Sequence, residues 1–292
     1  MTEKIFNYKN PSELVTPQEF SFTSTNNLAL YAVKWIPPTD PTAVIVLVHG
    51  IAEHSGRYEH VAQVLADAGF AVYAYDHSTH GKSAGEPRTY FTSFDLPVAD
   101  LTTFVDMVIK ENPDKKIFVY GHSMGSLISC LYVLKNQTKV AGWISSGSPL
   151  AVETSLPKPA VAILLAIASL LPTTRLIKID PKTLTHDENI VQAYVTDPLV
   201  DSKPARLGMV AHIVRNSRVV KGQLNNLRLP ILLLHGGLDT VCPPAASPLI
   251  HEKAGATDKT LKVYEGLFHE IHNETHFGRI MTDMVEWISG RC

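Results

Sequence analysis

The stretch Val119-Tyr120-Gly121-His122-Ser123-Met124-Gly125-Ser126 decides how the rest of the chain is read. It begins in an apolar run, Ile117 to Tyr120, of the kind a buried strand has. It then passes through Gly-x-Ser-x-Gly into Leu127 to Lys135, which suits a helix. A serine at so abrupt a strand-to-helix turn is held in a strained backbone conformation. Its hydroxyl stands above the sheet, and a helix N-terminus behind it favours developing negative charge. Gly121 and Gly125 follow from the same geometry, because a Cβ at either place would meet the neighbouring strand or helix. Ser123 is the candidate nucleophile.

Outward from this turn the chain alternates apolar runs with helical patterns. Glu19 to Thr25 and Leu28 to Ile36 read as two strands joined at Asn26-Asn27, a pair that tolerates turn conformations. Ala43 to Val48 is a continuous apolar run, as expected of a strand covered on both faces. Tyr58 to Ala68 has helical periodicity and stops at Gly69, Ala71 to Tyr75 is strand-like, and Leu96 to Lys110 is helical again. Val140 to Ser145, Pro230 to Leu234 and Thr260 to Tyr264 complete the strands. The pattern predicts an α/β fold, with a mostly parallel eight-stranded sheet flanked by helices on both faces.

Between Pro149 and Leu229 the rhythm changes: Pro-punctuated helical patterns with no convincing strand. This predicts a helical cap at 150–226, inserted into a core made of 1–149 and 227–292. Within it, Ala160 to Leu171 is apolar on nearly every face and too short to span a bilayer. Packing in the interior is the expectation for it; a lid surface that touches lipid is the alternative.

Bulk properties exclude several classes. The 292 residues are 45% hydrophobic and 18% charged, enough to bury a sizeable core. A formal net charge of −2 without a basic cluster gives no footprint for nucleic acid. Three scattered cysteines, Cys130, Cys242 and Cys292, suggest no disulfide framework. Met1 to Asn10 lacks the apolar core of a secretory signal, so a cytoplasmic location is expected, with peripheral lipid contact through the cap.

A serine hydroxyl needs a base to take its proton, and that base needs an orienting group. In a fold of this kind the order is Ser, acid, His, each on a loop at the carboxyl end of a strand. Asp239, in His235-Gly-Gly-Leu-Asp239, and His269, in Glu265-Gly-Leu-Phe-His269, meet that requirement. Backbone N–H groups of Met124 and of Ile51, on the loop beginning His49-Gly50, are the expected oxyanion donors. His122 adjoins the nucleophile, is expected to point away from it, and would shape the pocket. The run His269-Glu-Ile-His272-Asn-Glu-Thr-His276 invites a zinc reading. However, His-Glu-x-His is one residue short of the spacing that puts two rings on one helical face, and no third ligand is evident. No metal and no cofactor are expected. Asp76 ends a strand but precedes Ser123 and reads as structural. Cys242 lies close enough to Asp239 in sequence for its thiol to sit near the pocket.

Several motifs together resemble a specific family. His49-Gly-Ile-Ala-Glu-His-Ser-Gly-Arg-Tyr58, Asp76-His-x-x-His-Gly-x-Ser83, Gly121-His-Ser-Met-Gly125, Asp197-Pro-Leu-Val200 and Tyr264-Glu-Gly-x-x-His269 are similar to monoacylglycerol lipases and related lysophospholipase-like α/β-hydrolases. The resemblance covers about residue 18 to the C-terminus. It implies cofactor-free hydrolysis of single-chain acyl esters, with Ser123, Asp239 and His269 as the triad and a small lipid or ester as substrate. It also implies a polar pocket for the alcohol, matching Glu53, Arg57, Tyr194 and His272. A buried Arg57 would need an acidic partner, and Glu53 is on its loop. Lysophospholipase or general esterase activity, a cap-bearing aminopeptidase and a non-catalytic ligand receptor are the alternatives. Two departures stand out: Ser78-Thr79 where relatives carry Arg-Gly or similar, and Ser126 where many have a second glycine.

Overall fold

The structure, a computed structural model, describes residues 14–155 and 157–292. The segment Met1 to Asn10, read above for a signal, lies outside them. The chain begins with β1 (Gln18–Thr23) and β2 (Ala29–Trp35), an antiparallel hairpin whose turn places Asn27 at φ 62°. Then follow β3 (Ala43–Val48), α1 (Glu59–Asp67), β4 (Phe70–Tyr75), α2 (Asp95–Glu111), β5 (Lys116–His122), α3 (Met124–Asn136) and β6 (Gly142–Ser146). An insertion carries α4 (Lys158–Leu170), β7 (Arg175–Ile177), α5 (Glu188–Thr196), β8 (Ala205–Arg206) and α6 (Leu207–Lys221). The core resumes with β9 (Ile231–Gly236), α7 (Ala246–Lys253), β10 (Lys259–Tyr264) and α8 (Phe277–Ser289).

The eight core strands run in the order β1-β2-β4-β3-β5-β6-β9-β10. Only β2 is reversed, being antiparallel to both β1 and β4; every pairing from β4 onward is parallel. Period-two geometry explains why β3 is apolar throughout. Val44, Val46 and Val48 face one layer with Leu101 and Phe104 of α2 and Ile128 of α3. Ile45 and Leu47 face the other, with Val61 and Leu65 of α1 and Met281 and Met284 of α8. Each such fully buried side chain stabilises the fold by roughly 1.5–3 kcal/mol.

Two expectations for the insertion are corrected. It is not free of strands: β7 and β8 form a short antiparallel pair, too brief to leave an alternating pattern in sequence. Nor is the apolar helix interior. In α4 only Val161 and Ala168 are buried, whereas Ile163 is 60% exposed and Leu170 81%, with Ile167 and Leu171 exposed beside them. The helix packs one narrow stripe against α6 through Ala168, Leu207 and Ala211, with Leu164 and Leu165 half-buried against it, and leaves Ile163, Ile167 and Leu170 exposed. Among the described residues no helix is long and apolar enough to cross a membrane.

Candidate active site

The sheet delivers its loops to one end. At the carboxyl end of β5, Ser123 takes φ 52°, ψ −120°, a conformation that costs an ordinary residue on the order of 1–3 kcal/mol. It is held there from both sides: its N–H donates to Ser146 O at 2.9 Å, and its carbonyl accepts from Ser126 N–H at 2.9 Å as α3 begins. Gly125 packs so closely that a Cβ would lie 2.0 Å from Val48 O, and one on Gly121 would lie 2.3 Å from Ser129 Oγ. Ser126, the departure beside the motif, is accounted for: its hydroxyl pairs with Ser145 Oγ at 2.6 Å and ties α3 to β6. Thr79, the other departure, adopts φ 66° and exchanges hydrogen bonds with the Tyr90 backbone.

His269 and Asp239 come together from the loops after β10 and β9, with His269 Nδ1 2.7 Å from Asp239 Oδ2, both side chains buried. Asp239 Oδ1 accepts the N–H groups of Val241 (2.9 Å) and Cys242 (2.8 Å), and His235 Nε2 is 3.2 Å from Oδ2. Burial alone would raise the Asp239 pKa. His269 and the bonds from His235 and His269 outweigh it and hold the carboxylate below its ordinary range. For His269 burial favours the neutral ring, but the Asp239 carboxylate and its hydrogen bond win, and the pKa stands above the ordinary 6.5. An imidazole fixed through Nδ1 leaves Nε2 for the proton of a nucleophile, and Ser123 lines the same pocket as His269.

Met124 is the first residue of α3 and Ile51 lines the pocket from the loop after β3. The Gly50 N–H, the other donor on that loop, is taken by Glu53 Oε1 at 2.6 Å. Cys242 does sit beside Ser123, close enough for the hydroxyl to act on its thiol. It is only 4% exposed, and burial together with the Asp239 charge pushes its pKa up, so it is held as a thiol rather than a reactive thiolate. Asp76 braces loops, accepting from Ser55 N–H and Oγ and from Lys82 N–H.

Of the expected alcohol-pocket residues, Glu53, His122 and Tyr194 line the pocket with Ser123; Arg57 and His272 do not. Arg57 is clamped from behind. Nη1 donates to Glu53 Oε2 at 2.6 Å and to Glu270 Oε1 at 2.8 Å, Nη2 donates to Glu270 Oε2 at 2.7 Å, and the guanidinium lies 4.8 Å over the Tyr194 ring. His272 is fully buried, stacked on Tyr58 with centroids 4.7 Å apart and 4.7 Å from His122, itself a lining residue. Burial drives its pKa down to about 3 and keeps it neutral.

Glu270 was missed by the sequence reading, although it sits next to His269. It lines the pocket, and its paired bonds with Arg57 overcome the effect of burial and hold its pKa at about 2. Glu53, buried and repelled by Glu270, stands above the ordinary value in spite of Arg57. One guanidinium facing two buried carboxylates thus lowers the pKa of Glu270, which it grips through two nitrogens, and leaves that of Glu53 raised. Elsewhere in the His269–His276 run, Glu274 accepts from Phe268 N–H and pairs with His186 of the insertion.

The strand order and the loops that carry Ser123, Asp239 and His269 are those of the α/β-hydrolase fold. A family model described as "Serine aminopeptidase, S33" matches residues 39–276. The monoacylglycerol lipase of Mycolicibacterium smegmatis is 32% identical over 94% of this chain and 97% of its own. The human monoglyceride lipase is 32% identical over 94% of each chain. The crystal structure of Paleococcus ferrophilus monoacylglycerol lipase superposes with a TM-score of 0.78 at 32% identity, covering 90% of this chain and 99% of that one. The chain belongs to this family of serine α/β-hydrolases.

Proposed function

We propose that the protein is a serine carboxylester hydrolase that cleaves monoacylglycerols or similar single-chain acyl esters. The observation that carries the reading is the 2.7 Å contact of Asp239 with His269, opening on the same pocket as a serine at φ 52°. Ser123 Oγ attacks the ester carbonyl as His269 Nε2 takes its proton. The tetrahedral oxyanion is held by the N–H groups of Ile51 and Met124. The intermediate collapses as His269 protonates the departing alcohol, leaving an acyl-Ser123. His269 then activates water, and hydrolysis returns the serine. Asp239 fixes the ring and stabilises the imidazolium formed in each half-reaction.

The pocket lining combines the polar Glu53 and Glu270 with the apolar Ile179, Leu184 and Val241, which pack together with Tyr194. That combination suits a small hydroxylated head and one acyl chain. The free volume here is about 20 Å³, room for about one water. Because Ile179, Leu184 and Tyr194 all belong to the insertion, residues 150–226 act as a cap that withdraws to admit substrate. The exposed face of α4 would meet the lipid surface that supplies it, as interfacial helices do.

The family model's description favours a second reading, an aminopeptidase. A free amine needs a carboxylate without a partner. Glu53 and Glu270 both hold Arg57, Asp201 pairs with Arg175 at 2.6 Å, Asp187 caps α5 through Asn189 N–H, and Glu188 is exposed and does not line the pocket, which supports the esterase. Monoacylglycerol, triacylglycerol, lysophospholipid and aminoacyl amide should be assayed side by side, with fluorophosphonate labelling of wild type and Ser123→Ala. The expected result is monoacylglycerol as best substrate and loss of both activity and label in the variant. Preferred cleavage of the amide, or activity surviving Ser123→Ala, would overturn the proposal.

A further inference from the structure

A second cavity, about 410 Å³, lies at the junction of insertion and core, away from the residues that line the ester pocket. The core loop between β4 and α2 contributes Glu86 and Arg88, and the insertion contributes Arg175, Asp201, Lys203 and Arg206. Four cations therefore face two carboxylates in a protein whose overall charge is −2, so the local sign opposes the global one.

The cations are also unevenly paired. Arg175 takes Asp201 Oδ2 at 2.6 Å, but Arg206 and Arg88 are braced by neutral carbonyls. Arg206 Nε donates to Arg88 O at 3.0 Å and its Nη1 to Thr173 O at 2.6 Å; Arg88 donates to Ser83 O and Gly81 O. Carbonyls orient a guanidinium without neutralising it, so these two carry their charge in fixed positions. Burial and the neighbouring Arg175 depress the Arg206 pKa, and the carboxylates of Asp201 and Glu86 offset them only in part. Fixed, partly desolvated guanidinium groups are the protein's usual means of binding phosphate-type oxyanions, because the ordering cost is met in advance.

We propose that this cavity binds a phosphate monoester dianion, free or as a lipid headgroup, through Arg88, Lys203 and Arg206. A dianion matches the local excess of two positive charges. The site is independent of which ester the protein cleaves. It does border the loop that supplies Ile51, since Asp201 N–H donates to Ala52 O at 2.9 Å.

The test has two arms. In the first, the full chain is titrated calorimetrically with inorganic phosphate at constant ionic strength, chloride being the balancing anion. In the second, it is co-sedimented with vesicles of phosphatidylcholine containing phosphatidic acid, against phosphatidylcholine alone. Arg206→Gln and Lys203→Glu are expected to weaken binding roughly tenfold or more, the loss of one charge-assisted pair, whereas the distant Lys115→Gln should bind like wild type. Saturable phosphate binding lost in the variants supports the site with free phosphate as a ligand. Vesicle binding that needs phosphatidic acid and is lost in the variants, with no phosphate binding, assigns it to the headgroup. Thermal unfolding of each variant is read first. Should Arg206→Gln fail to fold, the exposed Lys203→Glu decides alone. No binding in either arm, or binding unchanged in the folded variants, would overturn the proposal.

Discussion

Ala43–Val48 and Ala160–Leu171 are two greasy runs of one chain that reach opposite environments. The first becomes β3, where all six side chains are buried. The second becomes most of α4, where only Val161 and Ala168 are. The difference lies in what surrounds them. β3 is flanked by β4 and β5 and covered by helices on both faces, so every apolar atom finds a partner. α4 has one neighbour along one stripe. Hydrophobicity in the core holds the sheet and its loops still; in the insertion it is left facing outward, the face proposed above to meet lipid.

If that contrast is right, the largest effect follows from disturbing the geometry that the core holds. Asp239→Asn should leave folding intact and lower kcat by about ten-thousandfold, because an amide cannot orient and charge-match His269. Steady-state kinetics on a soluble ester would measure it, and a loss below tenfold would detach Asp239 from catalysis. Next in size is the packing contrast itself. Ile45→Ala should cost about 2–5 kcal/mol in denaturant unfolding, and Ile167→Ala should stay within about 0.5 kcal/mol. Equal costs would mean that α4 is covered in solution.

A smaller effect is expected at the lipid surface. Ile167→Ser with Leu170→Ser should weaken sedimentation with neutral vesicles roughly tenfold while sparing turnover of a water-soluble ester. Unchanged sedimentation would remove α4 from the membrane contact. The smallest is a matter of pH. In the proposed reaction the neutral form of His269 is the base, and Asp239 holds its pKa above 6.5, so activity should rise only as pH climbs through that raised value. A pH–rate profile with its acid limb below 6.5 would contradict the pairing. For stability the sign is reversed: the contribution of His269 is full below the unfolded histidine value and is lost as pH rises through the folded one.

How much was legible depended on range. Ser123, Asp239 and His269 could be picked out because each follows directly on a strand that is readable from local apolarity, and the fold then fixes their order in space. Gly121 and Gly125 announced the close contacts that the backbone makes at Val48 O and Ser129 Oγ. The partner of Arg57 was only half found. Glu53 is four residues away on the same loop, but Glu270 is separated by 213 positions and left no local mark. His272 was assigned to the pocket from the resemblance, and its burial against Tyr58 and His122 depends on segments far apart in sequence.

What the amino-acid sequence determined by itself was therefore the scaffold and the order of the reacting groups, because strand runs, turns and glycines act within a few residues of one another. Tertiary structure alone decided which face of α4 is covered, where Arg57 finds its second carboxylate and how four cations gather around one cavity. These depend on contacts between segments that come together only after folding. A one-dimensional pattern of polarity carries the tendency of a side chain to be buried, but not the identity of what buries it.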